Sequence, residues 1–91
     1  MASLERVKED IAKLAQRRNA VEFSEIKRIV EQLGKLGYSV AQRRANETYL
    51  FRVSDHRFGV CTHNRGDKHV KACYVKEFLE TMGNLGLFDG E

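Results

Sequence analysis

The spacing of hydrophobic residues changes period twice along this chain, and that double change constrains the fold more than any other feature. From Leu4 to Leu33 apolar residues recur every three or four positions, from Tyr38 to Thr62 they alternate, and from Val75 to Met82 they return to helical spacing. The first stretch divides in two. Leu4, Val7, Ile11, Leu14 and Ala15 stripe one face of a helix predicted over Leu4–Arg18, and Asn19-Ala20-Val21 reads as a break. A second helix follows, with Phe23 as a hydrophobic staple, Ser24 as its N-cap and Ile26, Ile29, Val30 and Leu33 as its buried stripe. Gly34 or Gly37 ends it.

The alternating stretch contains three short strands. Tyr38, Val40 and Gln42 alternate with Ser39, Ala41 and Arg43; Ala45-Asn46-Glu47 is a turn. Thr48 to Val53 is the clearest strand, with Tyr49, Phe51 and Val53 on one side and Thr48, Leu50 and Arg52 on the other. Ser54-Asp55-His56 is turn chemistry, and Phe58, Val60 and Thr62 then alternate with Gly59, Cys61 and His63. The last helix carries Val75, Phe78, Leu79 and Met82, with Gly83 expected just past its end. A tail from Asn84 offers Leu85, Leu87 and Phe88 to the core. Strands joined by such short turns pair antiparallel, which predicts an α+β fold with one sheet face packed on the last two helices and the other open to a ligand.

At 91 residues the chain is one small domain. It has no run of ~18 apolar residues that could span a bilayer, and its first residues do not form the apolar core of a signal peptide. Two cysteines make no disulfide framework, so reduced thiols and a cytoplasmic location are expected. The net charge of +3 is uneven. Residues 41–76 carry Arg43, Arg44, Arg52, Arg57, Arg65, Lys68, Lys71 and Lys76 against Glu47, Asp55 and Asp67, while residues 77–91 carry four acids and no base. The middle segment is the part fitted to a polyanion.

Five short pieces follow one another in order: the Phe23-x-x-Ile26 helix entry, Leu36-Gly37-Tyr38 at the helix exit, Arg43-Arg44 before the second strand, Phe51-Arg52 at its end, and Lys71-Ala72-Cys73-Tyr74-Val75-Lys76 leading the last helix. Together they resemble the HicA family of toxin–antitoxin ribonucleases. The resemblance implies a double-stranded-RNA-binding-like α-β-β-β-α domain over residues 21–88, with an N-terminal helical extension over 1–20 and a tail at 89–91. It implies a messenger-RNA endonuclease neutralised by a HicB-like antitoxin, with no cofactor and no membrane partner. The family's Gly-Ser-His triplet falls on Asn46, Glu47 and Thr48, so the position of its catalytic histidine is Thr48; one register earlier it is Glu47.

Metal-free RNA cleavage needs a base for the 2′-hydroxyl, an acid for the leaving oxygen and cations for the phosphorane charge. A threonine hydroxyl is no base near neutral pH. The expectation is therefore an RNA-binding module with weak or lost nuclease activity, contacting RNA through Arg43, Arg44, Arg52, Arg65, Lys68, His69, Lys71 and Lys76. Two alternatives stand beside it: a ribonuclease with its site relocated to His63, and a module that binds a protein antitoxin. Cys61, His63, His69 and Cys73 are zinc-type ligands, but their spacing matches no common finger and no metal is expected.

Overall fold

A computed structural model describes residues 3–17, 20–45, 48–61 and 68–88. Three helices, α1 (Leu4–Ala15), α2 (Phe23–Lys35) and α3 (Ala72–Asn84), accompany three strands, β1 (Val40–Ala45), β2 (Thr48–Val53) and β3 (His56–Val60). The strands form one antiparallel sheet in the order β1-β2-β3. The α+β class, the three helices and the antiparallel meander are as the periodicity predicts. No helix among the described residues is long and apolar enough to cross a membrane.

Helix ends follow backbone hydrogen bonding more closely than the sequence signals did. Ser3 caps α1 by accepting from the Arg6 N–H at 3.2 Å. The N-cap of α2 is Glu22 and not Ser24, and the Glu25 carboxylate accepts from the Glu22 N–H at 2.9 Å. Ser24 therefore lies inside the first turn. At the other end, Gly37 takes φ 105°, its N–H reaches the Gly34 carbonyl, and the Tyr38 N–H reaches that of Leu33. This is a Schellman closure, which glycine enters without a Cβ clash. Gly86, with φ 77°, closes α3 in the same way. Gly83 lies within that helix, so the expected stop came three residues early.

One face of the sheet supplies Phe51, Val53, Phe58 and Val60 to a core shared with Ile26, Ile29 and Leu33 of α2 and with Val75, Phe78 and Met82 of α3. Ring contacts run through it from Phe23 to Phe51 to Phe58 to Phe78, with centroids 5.4–6.0 Å apart. Val7, Ile11 and Leu14 bring α1 into the same core, and an Arg17–Glu25 ion pair ties α1 to α2. Leu87 is buried and Phe88 packs against the core, so the segment after α3 folds back as its apolar residues predict.

One connection has no local signal in the sequence. Val70 donates to the Val21 carbonyl and Phe23 to that of Lys68, each at 2.8 Å, making a short bridge centred on Glu22 and His69. Lys71 also donates to the Cys61 carbonyl at 3.1 Å. The segment before α3 is thus stitched between the end of β3 and the start of α2.

Candidate functional site

Strand register decides which cations meet. Directly paired residues of an antiparallel sheet point to the same face, and successive residues point to opposite faces. Ala41, Arg52 and Arg57 form one row across the outer face; Arg43, Leu50 and Gly59 form the next; Thr48, paired with Ala45, begins a third. The opposite face, towards the core, carries Arg44 opposite Tyr49.

The outer face is open, and a groove of about 390 Å³ lies on it between Arg43, Leu50, Arg52, Arg57, Gly59 and Glu77. Leu50 is 42% exposed, although it is a large aliphatic side chain in the central strand. Arg43 and Arg57 are exposed and Arg52 is half-buried. An Nη1–H of Arg52 donates to the Ser54 carbonyl at 2.8 Å, which holds its guanidinium at the hairpin. Glu77 reaches over from α3, and its carboxylate accepts from the Gly59 N–H at 3.1 Å. No ion pair among the described residues joins Arg43, Arg52 or Arg57 to a carboxylate.

No protein-family model, curated protein or solved structure matches the chain.

The residues singled out from sequence are divided among several places. Arg43 and Arg52 share the groove. Arg44 does not join them: as the neighbour of Arg43 in a strand it faces the other way, and its guanidinium carbon stands 5.6 Å from the Tyr49 ring centroid. Lys68 is 3.9 Å from the Glu22 carboxylate, and His69 belongs to the bridge at the start of α2. Lys71 is the N-cap of α3, and Lys76 is exposed on that helix. Thr48 is half-buried on the groove's own face. Asn46, Glu47, His63 and Arg65 lie outside the described residues. Cys61 is half-buried and Cys73 is exposed. No three His, Cys, Asp or Glu side chains converge among the described residues.

Arg57, Leu50, Gly59 and Glu77 complete the groove and were not singled out. Arg57 was hidden by the turn. A three-residue turn through His56 would set Arg57 opposite Val53, on the core face, but the turn is Ser54-Asp55 alone and Val53 pairs with His56. Counting from a two-residue hairpin would have placed Arg57 beside Arg52. Glu77 has no such signal, since only the docking of α3 at the β3 edge brings it there.

Proposed function

We propose that this chain is an RNA-binding domain of the HicA-like type that holds its ligand on the open sheet face, with weak or lost endonuclease activity. The observation that carries the reading is the convergence of Arg43, Arg52 and Arg57 on one accessible face without a neutralising ion pair among the described residues. Guanidinium groups in that setting gain by neutralising phosphates and releasing their counterions. The order α2-β1-β2-β3-α3, with both helices contributing to the core on one side of a meander, supports a double-stranded-RNA-binding-like arrangement.

In this reading Thr48 stands where the family carries its catalytic histidine. It shares the arginine face, so RNA would pass a site that keeps its cations and lacks its base. A HicB-like antitoxin would be the protein partner, docking over the same surface.

The test is fluorescence anisotropy with a labelled RNA across a salt series. Affinity should fall steeply with salt, and Arg43→Ala or Arg52→Ala should each make the log–log slope shallower by about 1. Binding that ignores both salt and these substitutions would remove the proposal.

A further inference from the structure

We infer that the outer groove takes one unpaired guanine nucleotide, with Glu77 as the group that reads the base. This inference rests on the RNA-binding reading and narrows its ligand.

A groove meant only for phosphate would be weakened by a carboxylate. Here Glu77 is held in place: its Oε1 accepts the Gly59 N–H at 3.1 Å, and it forms no ion pair with the arginines lining the same groove. A carboxylate has four lone-pair sites, so Oε2 and part of Oε1 remain available as acceptors. Among the four RNA bases, only guanine presents two adjacent donors, N1–H and the 2-amino group, on its Watson–Crick edge. Adenine and cytosine each set a ring-nitrogen acceptor beside their amino group, which a carboxylate repels. Uracil offers one N–H between two carbonyls.

The floor suits a base. A Cβ placed on Gly59 would lie 3.6 Å from the Thr48 methyl, 3.8 Å from a Leu50 methyl and 3.9 Å from the Tyr74 ring. With no side chain at Gly59, that space is a shallow apolar seat beside the exposed Leu50. Arg52 and Arg57 border it and supply cations for the flanking phosphate. A volume of about 390 Å³ falls within the ~300–1,000 Å³ usual for small-ligand sites. Because base pairing occupies the edge that Glu77 would read, the ligand is single-stranded.

The experiment compares short single-stranded RNAs that differ only in one central base, G, A, C, U or inosine, bound to the wild-type chain and to Glu77→Gln. The G-centred RNA should bind about tenfold more tightly than the A-centred one, from a bidentate contact of the usual strength. Inosine, which lacks the 2-amino group, should fall between them. Glu77→Gln can still accept the Gly59 N–H but turns an amide N–H₂ towards the base, so it should abolish the preference and leave the salt slope unchanged. Equal affinity for all five RNAs, or a preference that survives Glu77→Gln, overturns the guanine inference alone. Failure to bind any of them overturns the RNA-binding reading with it.

Discussion

Arg52 and Arg57 are direct partners in the β2–β3 ladder, two guanidinium groups facing each other on the same side of the sheet. Like charges set opposite one another destabilise a strand pair. Arg52 partly escapes by turning to the Ser54 carbonyl, while Arg57 remains exposed. Rules of local structure are broken most often where function requires it. Arg57→Thr removes the repulsion and adds a β-branched residue, so it should stabilise the fold by about 0.5 kcal/mol. The same change should weaken RNA binding. Thermal unfolding and anisotropy on one preparation check both, and a less stable variant with undiminished affinity would contradict the account.

A histidine at position 48 should restore what the proposed site lacks. Thr48 is half-buried on the outer face, one row from Arg43 and Leu50, so an imidazole there would enter the groove without being inserted into the core. Its pKa near neutrality suits it to take the 2′-hydroxyl proton. The wild-type chain should cleave RNA weakly or not at all, and Thr48→His should yield far more fragments ending in 2′,3′-cyclic phosphate without divalent metal. Equal cleavage by both proteins would place the chemistry elsewhere.

Much of this architecture was legible because period and burial are coupled. Phe51, Val53, Phe58 and Val60 alternate because one face of their sheet is dry, and Ile26, Ile29 and Leu33 repeat because one side of α2 is. Boundaries were harder to read. A glycine signals a helix end only if its φ is positive, and nothing in the sequence distinguishes Gly83 from Gly86, where φ is 77°. The site was partly legible for a related reason. Arg43 and Arg52 sit in strands whose faces could be counted, whereas Arg57 depended on a turn one residue shorter than expected. Glu77 and the Glu22–His69 bridge depend on how distant segments dock, which no local pattern encodes.

The two helix closures offer a stability test remote from the groove. Gly37 and Gly86 hold φ of 105° and 77°, in a region where a Cβ crowds the backbone. Nothing lies within 4 Å of a Cβ built at either position, so alanine would bring conformational strain and no collision. Gly37→Ala and Gly86→Ala should each cost about 1 kcal/mol. Urea unfolding should show lower midpoints with an unchanged slope, and RNA affinity below the transition should match wild type.

The joint between α1 and α2 should be sensitive to acid through Glu25. Partial burial pushes its carboxyl up, but the Arg17 hydrogen bond, the Glu22 main-chain N–H and the electrostatic influence of Arg17 and, least, of His69 outweigh burial and leave it below its ordinary value of 4.5. A carboxyl whose folded-state pKa is depressed stabilises the fold above its unfolded value and loses that contribution as pH falls through the folded one. Glu25→Gln should therefore be less stable than wild type near neutral pH, with the gap closing as pH drops below 4.5. Removing Arg17 first should shrink the effect of Glu25→Gln, because the chief group holding the carboxylate ionised is then gone. Thermal unfolding of the two single variants and the double variant over a pH series measures this coupling. A gap that stays constant down to acid pH would show that Glu25 contributes through packing and not through its charge.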